Sequence, residues 1–92
     1  MKNILIQFSI ANMNSQQYDQ VIIDLEAVGK GNIPERLCHV AAPQGDGWHV
    51  TDVWTSEEAF NNFAEVMVPT LIKNGVEPAE PFILPVHNII LP

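Results

Sequence analysis

The pattern of hydrophobic and polar positions along the chain predicts four strands and two helices. Residues 3–10 carry isoleucine or phenylalanine at every second position from Ile4, so one side of this first strand is strongly apolar. Residues 37–42 form a β-prone segment, and residues 48–54 are rich in β-branched and aromatic side chains. The turn-forming residues 43–47 lie between these two segments and predict a hairpin.

An amphipathic helix follows the first strand. Asn14 or Ser15 offers the N-cap, Gln17 stands where a capping box with Asn14 requires it, and Gly29 ends the helix. The residues of its apolar stripe recur at helical spacing, and they are Tyr18, Val21, Ile22, Leu25 and Val28.

A second helix follows the hairpin. Thr55 or Ser56 caps it, acidic residues occupy its first turn, and Gly75 ends it. Pro69 lacks an amide hydrogen, so we expect it to kink this helix or to restart it for a last turn.

Residues 82–91 predict the last strand, and the proline inside it favours an edge position because Pro85 cannot donate to a ladder. The resulting order is β-α-β-β-α-β. It predicts an α+β, ferredoxin-like fold with a four-stranded antiparallel sheet and two helices on one face, built as one domain over residues 1–92.

The face of the sheet that the helices leave uncovered is expected to be apolar too. Leu5, Val53, Ile83 and Ile89 form a second apolar set beside the isoleucines of the first strand. Because no segment remains to cover this face, either a second copy of the protein or a ligand is expected to cover it. The simpler of the two is a homodimer that packs through its open sheet face, and this is what we expect.

The composition excludes some classes of binding partner. Four Lys and Arg against 11 Asp and Glu give a formal charge of -7, the wrong sign for binding nucleic acid or an anionic membrane. The single cysteine, Cys38, cannot form an internal disulfide, and the N-terminal apolar run is too short and too polar for a membrane span. We therefore expect a cytoplasmic protein with neither of these partners.

Three histidines fall in predicted strands, namely His39, His49 and His87. Imidazole titrates near neutral pH, so each is either a general base or a hydrogen-bonded wall residue. If the hairpin pairs in an even register, His39 and His49 share one face and Asp52 points to the other, which argues against a metal site made of these three. His87 stands among apolar residues of the last strand and is therefore the first candidate.

Asp52 shares its parity in the third strand with apolar residues, where an ionised carboxylate is costly unless it is paired. Two interpretations stay open. Asp52 is either an acid or base in a pocket, or one half of an ion pair with Arg36, the only arginine of the chain. The large aromatic side chains, Trp54 among them, are either core residues or the wall of a pocket for a planar ligand.

Residues 52–65, DVWTSEEAFNNFAE, carry a resemblance to a known family. Trp54 ends the third strand, Ser56 caps the second helix, and Ala59 and Phe60 follow in its first turns. Together with the order of elements and the segments GWHVTDVW and PVHNII, this pattern resembles the dimeric α/β-barrel superfamily, in particular its antibiotic-biosynthesis monooxygenase-like members. The resemblance spans nearly the whole chain and implies that the sheets of two copies form one dimeric α/β barrel.

The resemblance also implies a chemistry, the oxygenation of a small aromatic or phenolic compound without a cofactor in a pocket between sheet and helices. The haem-degrading branch of the superfamily uses a helix histidine, and residues 56–74 contain none. We therefore expect no cofactor and no metal.

In this hypothesis His87, Asp52 and His39 are catalytic. The residues expected to bind the substrate are Trp54, Tyr18, Phe60 and Phe63. Two alternatives stay open, a non-catalytic protein that binds a small hydrophobic ligand and a purely structural dimer.

Overall fold

A computed structural model describes residues 2–92 and contains six elements in the order β-α-β-β-α-β. The strands are β1 (Ile4–Ile10), β2 (Arg36–Gln44), β3 (Gly47–Trp54) and β4 (Phe82–Pro85), and the helices are α1 (Ser15–Ala27) and α2 (Glu57–Lys73). The strands form one antiparallel sheet in the order β2-β3-β1-β4. The predicted α+β, ferredoxin-like architecture is confirmed.

The predicted helix starts are confirmed in atomic detail. The Asn14 side chain accepts a hydrogen bond from the Gln17 backbone amide at 2.8 Å, and the Gln17 side chain accepts one from the Asn14 amide at 3.0 Å. Ser56 accepts a hydrogen bond from the backbone amide of Ala59 at 3.1 Å. These bonds satisfy amide groups that have no partner inside a helix.

One alternative predicted that Pro69 interrupts the second helix, which then restarts for a last turn. The structure shows no such interruption. Helix α2 runs without a break from Glu57 to Lys73. The Thr70 hydroxyl donates to the carbonyl of Val66 at 2.8 Å, one turn back, and Leu71 beyond the proline is buried against the sheet. Packing of the helix on both sides of the proline therefore outweighs the hydrogen bond that it cannot make.

The predicted hairpin exists, and its register differs from the even one considered above. Gln44 lies opposite Gly47, so the loop is only two residues long, and Gly45 has a φ of 56°, which suits a tight hairpin turn. This loop length places His39 directly opposite Asp52. The expectation that Asp52 points away from His39 is therefore wrong.

The last strand is shorter than predicted. It ends at Pro85, and residues 86–92 form no strand. The Val86 amide still bonds to the carbonyl of Asn3 at 2.9 Å, but β1 begins at Ile4, so the chain beyond Val86 has run past the end of its neighbour. His87 and Ile89, which we expected inside this strand, lie after it.

The helices cover one face of the sheet, which we call the inner face. Its buried side chains include Ile6, Phe8, Val50 and Trp54, and they pack against side chains of both helices. Asp52 lies on this face with 3% of its surface exposed and is the buried charged residue of the core. Ile83 also packs here, opposite Ile6, so its expected place on the uncovered face is wrong.

The opposite, open face carries one apolar row across all four strands. Leu84 lies opposite Leu5, Leu5 opposite Val53, and Val53 opposite Cys38. The next row has the polar Thr51 and Gln7 in its middle and the apolar Val40 and Phe82 at its ends. In the row beyond, Ser9 bonds to His49 at 3.0 Å. No helix within residues 2–92 is long and apolar enough to cross a membrane.

We predict that Asn14→Ala lowers the free energy of unfolding by about 1 kcal/mol, because it removes an N-cap and leaves helix amides unpaired. Thermal or urea denaturation followed by circular dichroism measures this loss. Gln16→Ala is the control, since Gln16 is exposed in the same turn. An equal loss in both variants would contradict the role of the cap.

Candidate functional site

Three polar side chains from three elements meet on the inner face of the sheet, and we call them the triad: Tyr18, His39 and Asp52. The Tyr18 hydroxyl lies 2.6 Å from His39 Nε2. The other ring nitrogen, His39 Nδ1, lies 2.6 Å from Asp52 Oδ1. The imidazole therefore joins a phenol to a buried carboxylate through one continuous line of hydrogen bonds.

The fold brings these residues together by simple local rules. His39 on β2 and Asp52 on β3 are direct cross-strand partners, so their side chains leave the sheet on the same face. Tyr18 lies in the first half of α1, and its ring stacks on Trp48 of β3 with ring centres 5.3 Å apart. The tyrosine ring is also parallel to the His39 ring within 5°.

The chemistry of the three groups determines which atom donates in each hydrogen bond of the triad. An ionised carboxylate only accepts hydrogen bonds, so His39 Nδ1 donates to Asp52 and Nε2 of the neutral ring is left to accept from the Tyr18 hydroxyl. The second carboxylate oxygen of Asp52 accepts from the indole Nε1 of Trp54 at 3.2 Å. Both oxygens of the buried carboxylate are thereby bonded.

Burial raises the pKa of the Tyr18 phenol, and the Asp52 carboxylate raises this pKa further. The Arg36 guanidinium acts in the opposite direction and lowers it. The net shift is upward from the usual 10.0, so Tyr18 is a neutral hydroxyl at physiological pH.

The triad borders a cavity of about 40 Å³ between the sheet and the two helices. Its floor is apolar and buried and includes Phe8, Val50 and Leu71. The half-buried side chains of its lining form what we call the mouth, and they are Tyr18, Ile22, Arg36, His39 and Met67. A cavity that holds benzene in a protein interior measures about 150 Å³, so this one is too small for an aromatic ring.

The predicted ion pair between Arg36 and Asp52 is not what the structure contains. Arg36 Nη2 donates to the carbonyl of Gly31 at 2.9 Å, and its guanidinium carbon lies 5.7 Å from the centre of the Phe63 ring. The partner of Asp52 is His39 instead, through the hydrogen bond from Nδ1. The two-residue hairpin loop explains the difference, because it places His39 and not Arg36 opposite the carboxylate.

The aromatic residues expected to bind the substrate divide into two groups. Tyr18 and Phe63 line the cavity. Trp54 is fully buried beside them and packs edge-on against Phe60, with ring centres 5.7 Å apart, and neither of these two is part of the lining. Trp54 therefore acts on the site through its hydrogen bond to Asp52 rather than by facing a ligand.

The three histidines lie in different surroundings. His39 belongs to the triad, and His49 lies on the open face with its Nδ1 bonded to Ser9. His87 is exposed beyond β4 and does not line the cavity. Within residues 2–92 no three His, Cys, Asp or Glu side chains cluster as a metal site requires.

Sequence reasoning missed Arg36 and Met67 as lining residues and Trp48 as the stacking partner of Tyr18. The indole nitrogen of Trp48 is buried and has no hydrogen-bond partner among the described residues. One signal could have found part of this site, because Met67 and Leu71 lie one helical turn apart on the apolar stripe of α2. The position of Arg36 has no such signal.

We predict that Tyr18 titrates above pH 10.0 in the folded protein, since burial and Asp52 both favour the neutral phenol. Stability from this shift is complete below the pKa of an unfolded tyrosine and is lost as pH rises through the higher folded pKa. Asp52→Asn removes the negative charge and lowers the folded pKa. Tyr18 is the only tyrosine, so carbon-13 NMR of labelled tyrosine reports it alone. A pKa at or below 10.0 in the unmodified protein would contradict the geometry.

Three solved structures share this fold over almost the whole chain. A candidate antibiotic biosynthesis monooxygenase from Chloroflexus aurantiacus J-10-fl aligns with a TM-score of 0.65 and 14% identity, covering 96% of this chain and 96% of the other. One from Deinococcus radiodurans aligns with a TM-score of 0.60 and 10% identity, covering 97% of this chain and 96% of the other. One from Caulobacter crescentus CB15 aligns with a TM-score of 0.61 and 14% identity, covering 97% of this chain and 92% of the other.

No protein-family model and no curated protein matches the sequence. At 10% to 14% identity, the three structures are evidence for the fold and leave the activity to the residues of the site. The chain thus has the ferredoxin-like fold of proteins described as antibiotic biosynthesis monooxygenases.

Proposed function

We propose that the protein is a cofactor-independent monooxygenase that oxygenates a small aromatic or phenolic compound at the mouth of the cavity. The observation that carries this proposal is the triad, a hydrogen-bonded line from a half-buried phenol through an imidazole to a buried carboxylate. Such a line accepts a proton from a bound molecule and holds the resulting charge away from water.

The reaction needs no external electron donor, because the substrate itself is the reductant. A methylene flanked by aromatic rings loses a proton, and the carbanion reduces dioxygen and forms a carbon–oxygen bond, which gives a hydroperoxide after protonation. Loss of the second hydrogen as a proton breaks the oxygen–oxygen bond and expels water. The sum is R₂CH₂ + O₂ → R₂C=O + H₂O, with one oxygen atom in each product.

Each member of the triad has a distinct part in this sequence. Tyr18 lines the cavity, and in this proposal its oxygen accepts the substrate proton while its own hydrogen passes to His39 Nε2 over 2.6 Å. Asp52 stabilises the imidazolium that forms, through the 2.6 Å bond to Nδ1. His39 returns this first proton to the peroxide, which becomes the hydroperoxide. The triad then takes up the second hydrogen as a proton and gives it to the leaving hydroxide, so it ends each cycle as it began.

The aromatic neighbours support the triad. In this proposal Phe63 forms part of the wall beside the substrate, while Trp54 fixes the carboxylate through its 3.2 Å hydrogen bond to Asp52. Phe60 packs against Trp54 and keeps its ring in place. His87 has no part in the mechanism, since it lies exposed outside the lining of the cavity.

A second candidate function rests on the size of the cavity. Its 40 Å³ fits a few atoms and leaves no room for an aromatic ring below the mouth. In this alternative the protein is a non-catalytic dimer, structural or binding a small hydrophobic ligand, and the triad only satisfies a buried carboxylate. Catalytic oxygen uptake separates the two candidates.

The homodimer belongs to the proposal as well. The apolar row of the open face crosses all four strands, and Val40 and Phe82, at the two ends of the next row, are 57% and 60% exposed. Exposed apolar side chains in a continuous patch favour an interface, and two such faces packed together form the dimeric barrel. Cys38 ends the apolar row, and its free thiol fits a reducing compartment such as the cytoplasm.

We predict that His39→Gln and Tyr18→Phe each lower catalysed oxygen uptake by about 10²- to 10⁴-fold, the usual contribution of a general base. Anthrone is the probe substrate, and an oxygen electrode together with mass spectrometry in ¹⁸O₂ checks that one labelled atom enters the ketone. His49→Gln is the matched control, because His49 lies on the opposite face of the sheet.

Two results of this assay would count against the proposal. Unchanged uptake in both triad variants would remove the triad from the mechanism. An unmodified protein that does not accelerate uptake with anthrone or with a panel of phenols would leave the non-catalytic candidate.

We predict that replacing two apolar side chains of the open face with lysine, Val40→Lys together with Leu84→Lys, converts the dimer to a monomer. Both side chains are exposed in the single subunit, 57% for Val40 and 42% for Leu84, so the subunit itself stays folded. Light scattering after size-exclusion chromatography measures the mass, and Val28→Lys, at the exposed residue that caps the C-terminal end of α1, is the control. A monomeric unmodified protein would contradict the interface.

A further inference from the structure

We infer that Arg36 is the anchor for an acidic oxygen of the ligand, so that the mouth of the cavity selects small aromatic acids over neutral compounds of the same size. This inference deepens the proposed function, on which its account of the substrate rests, by naming a class of substrate. Two observations support it, namely the position of the Arg36 guanidinium and the N–H groups of this side chain that have no hydrogen-bond partner within residues 2–92.

The surroundings of Arg36 set it apart from the other cations of the chain. The protein has four Lys and Arg residues against 11 Asp and Glu. The three lysines are exposed, whereas Arg36 is half-buried and lines the cavity together with Tyr18 and His39. In a chain of net charge -7 the surface repels anions, so an anion site requires a local cation such as this one.

The guanidinium retains donors for a ligand. It has five N–H groups, and its one hydrogen bond among the described residues runs from Nη2 to the carbonyl of Gly31. The ion pairs within residues 2–92 involve His39 and Lys73, so no carboxylate of this part of the chain neutralises Arg36. A partly desolvated cation without an anionic partner is costly, and a bound carboxylate or enolate oxygen compensates it in bidentate geometry.

The mouth also provides a place for the rest of such a ligand. Ile22 and Met67 are half-buried apolar side chains of the same lining, one from each helix. A ring that rests on them keeps its acidic oxygen at Arg36 and turns its reactive hydrogen toward Tyr18. Arg36 acts on Tyr18 across this space, since the guanidinium lowers the pKa of the phenol while burial raises it.

A pair of probes that differ in charge and little in size tests the inference, namely benzoate and benzyl alcohol. Dissociation constants come from NMR titration of ¹⁵N-labelled protein. We expect benzoate to bind about tenfold more tightly, a difference of about 1.4 kcal/mol, and the preference to shrink as salt is raised. Amide shifts are expected near Ile22, Arg36 and Met67.

Arg36→Met keeps the apolar stem of the side chain and abolishes the preference. Arg36→Lys keeps the positive charge but lacks the planar guanidinium, so we expect it to retain part of the preference for benzoate. This second variant keeps the inference testable if the methionine variant fails to fold. Lys2→Met is the control, because it changes the net charge equally at an exposed position. Thermal melting verifies that each variant is folded.

Equal affinities for the two probes, no benzoate binding, or an undiminished preference in folded Arg36→Met would overturn the inference. None of these readouts involves oxygen. A protein that prefers benzoate yet catalyses no oxygen uptake would keep the anion site and refute the monooxygenase, whereas oxygen uptake with equal probe affinities would do the reverse.

Discussion

The carboxylate of Asp52 is the constraint on which the inner face depends. It is 3% exposed among isoleucine, phenylalanine, valine and tryptophan side chains, and an ionised group in such surroundings is tolerated only when its oxygens are bonded. His39 and Trp54 supply those bonds. A change that withdraws either partner leaves a buried charge uncompensated, so the position of the imidazole and of the indole is dictated by the carboxylate.

This requirement ties the chemistry of the site to the register of the hairpin. Gly45 and Asp46 form a two-residue loop, and with that length His39 and Asp52 are direct partners. A loop one residue longer would turn His39 to the open face and leave Asp52 without its imidazole partner. The same apolar surroundings that make the carboxylate costly also strengthen its hydrogen bonds, because little water competes for them.

Local signals were sufficient to predict most of the fold. The capping box of Asn14, the cap at Ser56 and the alternation in β1 each specify an element within a few residues. The limit of β4 was not predictable in this way, since residues 86–91 are as apolar as a strand and lack only a neighbour to pair with. His87 became the first catalytic candidate through that error. The triad needed the exact register, which composition does not specify.

The small cavity and the triad are compatible once the reaction is placed at the mouth. A closed apolar floor keeps the core intact in a chain of 92 residues, which cannot give up much buried surface to a ligand. In the proposed mechanism the half-buried mouth then performs both recognition and proton transfer. Asp52 and Arg36 act on Tyr18 with opposite sign, so a ligand anion that neutralises Arg36 would raise the pKa of Tyr18 further. Binding of the acid would thus make the Tyr18 phenol a weaker proton donor. Tyr18 would then give its proton to His39 only when a proton from the substrate replaces it.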